Sequence, residues 1–170
     1  MNGLFGWLGR VSRALALLTM LMLGVLVLLV TADVLVRSAG LRPLSWATSV
    51  AEYVLLYAAF LPMPALVRGK GHVFVEFMRT SMPAPARRAC EMAVYLVCIV
   101  ICVYLGWVAT AHGIEALRTG AYETRTFDMP RWLVFLPMAI GFWLSALEWL
   151  RYLVGADSMY DVDPLSMEGF

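Results

Sequence analysis

Long apolar runs alternate with short charged segments along the whole chain. A transmembrane helix needs about 20 largely apolar residues, and four of the runs reach that length. The charged residues fall between these runs, which is the arrangement that a bilayer imposes on a spanning chain. We therefore predict an all-α integral membrane protein with four transmembrane helices, over residues 14–36, 46–67, 89–112 and 132–154.

The positive charges predict the orientation. Four spans place both termini on the same side, and Lys and Arg are enriched in cytoplasmic loops. A cytoplasmic N-terminus puts eight of the 13 Lys and Arg residues inside and five outside. We predict an N-in/C-in topology with a cytoplasmic N-terminus (1–13), a four-helix membrane domain (14–154) and an acidic cytoplasmic tail (155–170).

Composition agrees with a single membrane domain. The mean hydropathy is +0.78, and 15% of the residues are charged, against about 25% in soluble proteins. A net charge of +1 without a basic patch argues against a nucleic-acid partner. Three cysteines fall in one apolar run, and we interpret them as small buried hydrophobic residues: Cys90, Cys98 and Cys102.

The second linker, residues 68–88, contains a segment of its own. The stretch from His72 to Met78 is too apolar to lie in water and too short to span a bilayer. We predict a short cytoplasmic interfacial segment in the headgroup plane, which ends at Pro83 and Pro85 before the third helix begins.

The centres of the four spans lack ionisable side chains other than tyrosine. A substrate or ion pathway near the bilayer midplane normally needs polar groups at that depth. This chain offers little there beyond Tyr57, Cys102 and Ser145. We therefore do not expect the chain to transport a substrate on its own.

Charged residues near the span ends allow two arrangements. Asp33 and Arg37 are four apart and share a helix face, and Glu52 lies near the outer end of the second span. They form either one network that clamps the first hairpin or separate charges that extend to the interface. We interpret two further pairs as exposed or interfacial ion pairs of small energetic value: Glu148–Arg151 and Arg88–Glu91.

The two histidines raise an alternative function. His72 and His112 lie at opposite ends of the third span, about 30 Å apart, so they cannot bind one haem within a single chain. Each could supply one ligand to a haem between subunits, in a membrane anchor of a respiratory redox complex. No nucleophile–base pair, phosphate-binding loop or zinc-ligand spacing is present in the sequence. We expect no enzyme activity and no catalytic, cofactor or metal site.

Acidic and basic residues alternate along the third linker, residues 113–131. This pattern predicts a solvated extension of the third helix, followed by a turn that ends at Pro130. The segment is either a solvated loop or a docking surface for a periplasmic protein.

Three blocks of residues occur in an order that carries a family resemblance. The first is Trp46 followed by Glu52, and the second is Arg68 followed by Gly71-His72-Val73-Phe74-Val75-Glu76. The third comprises Thr126, Pro130, Trp132, Pro137 and Gly141. The chain resembles the small membrane subunit, the DctQ-like subunit, of tripartite ATP-independent periplasmic (TRAP) transporters, over about residues 10–154.

The resemblance implies a division of labour. In this family a periplasmic substrate-binding protein captures the substrate, usually an organic acid, and associates transiently with the membrane subunits. A large multi-helix membrane subunit moves the substrate, coupled to the sodium gradient. The small subunit braces the large one in the bacterial inner membrane. From the charge pattern and the resemblance together, we expect structural or partner-interface roles for Asp33, Arg37, Glu52, Arg68, Gly71, His72, Glu76, Pro130 and Trp132.

Small residues in the spans are expected to serve this bracing role. Helices associate in lipid by close packing, which glycine and alanine permit. We expect such residues to offer surfaces for close helix packing: Ala58, Ala59, Gly106, Ala109, Gly113, Gly141 and Ala146.

Overall fold

The computed structural model describes residues 2–42, 44–69, 83–123 and 129–155. These residues form five helices and two short strands, in the order α1 (Asn2–Ser38), α2 (Ser45–Phe60), α3 (Met63–Arg68), α4 (Ala84–Thr119), β1 (Tyr122–Glu123), β2 (Met129–Pro130) and α5 (Trp132–Leu153). The predicted interfacial segment, His72 to Met78, and nearly all of the predicted tail lie outside the described residues.

The prediction of four membrane-spanning helices is confirmed by length and composition. The first candidate span is α1, and the second comprises α2 and α3. The third is α4 and the fourth is α5. The helices α1 and α4 are longer than the predicted spans, with 37 and 36 residues. At 1.5 Å per residue each extends about 55 Å, so both exceed a hydrocarbon core of about 30 Å.

The second span is interrupted near its end. Proline has no backbone N–H, so Pro62 and Pro64 cannot donate the helical hydrogen bonds that Ala58 and Phe60 would accept. Accordingly α2 ends at Phe60, a two-residue turn follows, and α3 begins at Met63. The prolines therefore coincide with a break between two helices.

Two glycines end the longest helices at the same side of the molecule. Gly40 and Gly120 have positive φ angles of 73° and 58°, a conformation that other residues rarely adopt. After α1, the N–H of Leu41 donates to the carbonyl of Val36, as in a Schellman motif. After α4 the chain enters β1, which pairs antiparallel with β2 and so leads directly into α5.

The helices form an open row, not a closed bundle. The helix α5 packs along much of α4 on one side and contacts α2, α3 and α1 on the other. The helix α1 packs against α2 and α3, and no extensive contact joins α1 to α4 within the residues that the structure describes. The order across the row is therefore α1, then α2 with α3, then α5, then α4.

Glycines in the spans allow these helices to pack closely against one another. A Cβ atom on Gly106 would meet the ring of Trp143 at 3.3 Å, and one on Gly113 would meet the Cβ of Phe135 at 3.4 Å. The backbone of Phe60, at the end of α2, approaches Gly141 too closely for any Cβ there. These three glycines thus offer the close-packing surfaces expected of them, between helices of this chain.

Candidate functional site

Charged residues gather at the two ends of the row. We call the near end the one where α1 and α4 begin and α3 and α5 end. The far end is the one where α1 and α4 end and α2 and α5 begin. The near end holds a group that we call the near-end cluster, in which three residues are buried and Arg68 is partly exposed: Ser12, Arg68, Glu148 and Arg151.

Glu148 is the centre of the near-end cluster. Its side chain is 0% exposed, and its Oε1 accepts hydrogen bonds from Ser12 Oγ at 3.2 Å and from Arg68 Nη1 at 3.1 Å. Its Oε2 lies 3.6 Å from Arg151 Nη1, and the Arg151 side chain is 8% exposed. One carboxylate therefore joins α1, α3 and α5.

Arg68 reaches this carboxylate across the backbone of α1. Its guanidinium lies against Gly9, where any Cβ would overlap it, and its Nη1 also donates to the carbonyl of Phe5 at 3.0 Å. The Tyr152 hydroxyl donates to the carbonyl of Val67 at 2.9 Å and so holds α3 against α5. The glycine and the hydrogen bond together fix the position of Arg68.

The burial of Glu148 makes this pairing necessary. An ionised carboxylate taken out of water is strongly unfavourable unless opposite charges and hydrogen-bond donors replace its hydration. The interpretation of Glu148–Arg151 as an exposed or interfacial pair is wrong, since both side chains are buried. It failed because the sequence shows the three-residue spacing but not the helices that cover this face.

Sequence reasoning also missed Gly9 and Ser12. They lie in a stretch that resembles a polar lead ahead of the first apolar run, yet it forms the first turns of α1. One available signal was the position of Glu148 itself. It follows Ser145 by one helical turn inside a largely apolar helix, and an acid there requires partners.

At the far end, Asp33 fixes the connection between α1 and α2. Its Oδ2 pairs with Arg37 Nη2 at 2.5 Å, and its Oδ1 accepts a hydrogen bond from the N–H of Leu44 at 2.8 Å. Asp33 is 8% exposed, whereas the Arg37 side chain is 61% exposed. The structure thus contains the Asp33–Arg37 pair. Glu52 is exposed on α2, and its membership of a shared network stays a prediction.

A half-open cleft of about 300 Å³ lies at the far end between α4 and α5. The ring of His112 stacks on Phe135 with centroids 5.7 Å apart, and His112 Nδ1 lies 3.7 Å from Glu115 Oε2. The cleft is lined by His112, Glu115, Ala116, Thr119, Ala121, Arg131 and Phe135. It offers mixed charges on an open surface and no enclosed chamber.

The remaining predicted site residues are dispersed. Pro130 pairs with Tyr122 in the two-stranded ladder, and Trp132 begins α5. Gly71, His72 and Glu76 lie outside the described residues. Across the four described ranges, no three His, Cys, Asp or Glu side chains come close enough together to hold a metal ion. The described residues thus form hydrogen bonds and ion pairs that hold helices together.

Comparison with known proteins identifies the family of the chain. The chain matches the family model described as "Tripartite ATP-independent periplasmic transporters, DctQ component" over residues 26–157, more than half of its length. It is also similar to the sialic acid TRAP transporter permease protein SiaT of Haemophilus influenzae (strain 86-028NP), with 30% identity over 74 residues. That stretch is 44% of this chain and 12% of the relative, so the chain matches only about an eighth of the relative's length. With four helices suited to crossing a membrane and a family match of this extent, the chain is a multi-pass membrane protein of the DctQ component family of tripartite ATP-independent periplasmic transporters.

Proposed function

We propose that this chain is the small, non-catalytic permease subunit of a sodium-coupled TRAP transporter for organic acids. In this role it braces a large multi-helix membrane subunit in the bacterial inner membrane. A periplasmic binding protein associates transiently with the membrane subunits and delivers the substrate. The SiaT relative supports this proposal, because the matched stretch is a small part of a much longer permease. The sialic acid in the name of that relative supports an acidic substrate class.

The observation that carries the bracing role is the use of the buried charges. In the near-end cluster, Glu148 ties three helices together, and Asp33 ties the first hairpin at the far end. Both acids therefore fix helix positions. A brace needs a rigid set of helices, whereas a substrate pathway needs polar groups near the midplane.

Reconstitution tests this division of labour. The chain is purified from mild detergent together with a co-expressed large TRAP subunit, and both are placed in liposomes with the cognate binding protein. We expect sodium-driven uptake of a labelled organic acid by the full set, and none by the chain alone or by the set without it. Uptake by the chain alone, or full uptake without it, would contradict the proposal.

A visible absorption spectrum distinguishes the proposed transporter subunit from the alternative role, a membrane anchor of a redox complex. His112 already contacts Phe135 and Glu115, and this favours a structural role for that imidazole. We expect the purified complex to show no Soret band. A Soret band lost on replacing His112 with alanine would favour the redox anchor instead.

A further inference from the structure

The face of α4 that points away from α5 carries a regular seam. The seam residues recur at alternating intervals of four and three, the spacing of a helix that packs along another helix. All six are exposed: Ala93, Val97, Val100, Tyr104, Trp107 and Ala111. The opposite face of α4 is the one that α5 covers, with Tyr95, Cys102 and Ala109 buried.

Tyr104 is placed deep within the span. It lies about 20 Å along the helix from Glu91 and about 17 Å from Glu115, the charged residues toward each end of α4. Gly106, two residues further on, packs against Phe142 and Trp143 at the middle of α5. Since half of a hydrocarbon core is about 15 Å thick, the hydroxyl of Tyr104 cannot reach either headgroup layer.

The hydroxyl of Tyr104 has no hydrogen-bond partner among the described residues, and its side chain is 65% exposed. A hydroxyl in hydrocarbon without a partner is unfavourable by a few kcal/mol. Two other donors in the spans are satisfied within the chain. Tyr57 donates to the carbonyl of Leu133 at 3.0 Å, and Trp143 donates to Thr110 Oγ1 at 3.1 Å.

The exposed face of α1 provides a comparison with the seam. It is rich in leucine, as at Leu21, Leu28 and Leu35. Its hydroxyl residue, Thr31, donates to the carbonyl of Val27 in its own helix. That face therefore presents no unsatisfied polar group to the hydrocarbon, in contrast to the face around Tyr104.

We propose that the α4 seam docks a transmembrane helix of the large TRAP subunit, which supplies a hydrogen-bond acceptor to the Tyr104 hydroxyl. This inference rests on the proposed function. The occupant is the large subunit because SiaT carries its matched stretch within a far longer permease chain, so membrane segments of another part of that transporter are available. Ala93 and Ala111 allow the two helices to approach closely at either end of the seam.

Photo-crosslinking in the intact complex tests the seam. A photoreactive phenylalanine is introduced at position 104, and in a matched control at Leu28 of α1, which is 71% exposed. We expect an adduct with the large subunit from position 104 and none from position 28. Adducts from position 104 with a second copy of this chain or with lipid alone, or an adduct with the large subunit from position 28 alone, overturn the inference.

The variant Tyr104→Phe tests the hydroxyl, with Tyr122→Phe as the control because Tyr122 is similarly exposed in β1. We expect Tyr104→Phe to weaken retention of the large subunit in detergent by about 3- to 15-fold, without changing the unfolding temperature of the isolated chain. Equal retention by the two variants overturns the role of the hydroxyl. If the unmodified chain retains no large subunit, the proposed function is wrong. The proposal that the seam docks that subunit is then wrong as well.

Discussion

The two ends of the helix row use an acidic residue in different ways. At the near end, Glu148 is fully buried and bonded by residues that lie 80 and 136 positions away in the chain. At the far end, Asp33 pairs with Arg37 one helical turn away and with the backbone of Leu44. The near-end cluster therefore fixes how separate helices meet, whereas the far-end pair shapes one connection.

This contrast teaches how the energetic weight of an ion pair depends on its surroundings. A buried pair that loses one member leaves an uncompensated charge, and this destabilises a protein by about 3–5 kcal/mol. A pair with an exposed member is screened by water and contributes about 0–1 kcal/mol. The two ends are thus expected to respond to substitution with different magnitudes.

The largest effect is expected from Glu148→Gln. The substitution removes the only acid of the near-end cluster and leaves Arg68 and Arg151 facing a neutral amide. We expect a loss of about 3–5 kcal/mol, seen as a fall on the order of 10 °C in the unfolding temperature of the detergent-solubilised chain. Tryptophan fluorescence during heating measures it. Glu115→Gln is the control, since its side chain is 72% exposed, and an equal fall in both variants would contradict the contrast.

The next effect is expected from Gly9→Ala. A methyl group there overlaps the guanidinium of Arg68, which must move away from Glu148 and from the carbonyl of Phe5. Losing hydrogen bonds to a charged group costs about 1.5–3 kcal/mol, partly offset by the better helix propensity of alanine.

The control for Gly9→Ala is Gly6→Ala, because nothing lies within 4 Å of a Cβ at that position. Thermal unfolding compares the two variants under the same conditions. We expect Gly6→Ala to be neutral or slightly stabilising. If both glycines tolerate alanine equally, Arg68 does not depend on the close approach at Gly9.

A smaller effect is expected from Asp33→Ala at the far end. This change removes the acceptor for the partly buried N–H of Leu44. Leaving a donor unsatisfied costs up to about 1–3 kcal/mol when it is fully buried. Asp33→Asn keeps a carbonyl oxygen for that N–H, so its unfolding temperature is expected to fall less. If the asparagine variant were the less stable one, the charge and not the backbone contact would dominate.

The smallest effect is expected from Arg37→Ala. The Arg37 side chain is 61% exposed, so its pairing with Asp33 is worth at most about 1 kcal/mol. Stability of the assembled complex in detergent measures it. A clearly larger loss would show that Arg37 has further partners, as the predicted network with Glu52 requires.

Sequence patterns predicted the spans well because their cause is local. Twenty apolar residues in a row mark a membrane crossing whatever the rest of the chain does, and Pro62 and Pro64 mark a break by their own chemistry. Helix ends were less accurate. Charges at Arg10 and Arg13 mark a boundary of polarity, yet α1 continues through them to Asn2 because charged residues do not stop a helix.

The partners of the buried groups were beyond sequence reasoning for a different reason. Ser12, Arg68 and Glu148 meet only after three helices have docked, and no spacing along the chain encodes that meeting. The same applies to Gly141, whose neighbour is the backbone of Phe60. The motif residue Arg68 was identified as structural, but the carboxylate that it serves was not.

The open row has a consequence for the order of assembly in the membrane. Within the described part of the chain, α4 makes its extensive contacts with α5 alone. As the chain is synthesised, α1 can already pack on α2 and α3, while α4 enters the bilayer without a neighbour to receive it. The last helix, α5, therefore forms both sets of contacts when it inserts. It packs against α4 on one side, and on the other side its Glu148 pairs with Arg68.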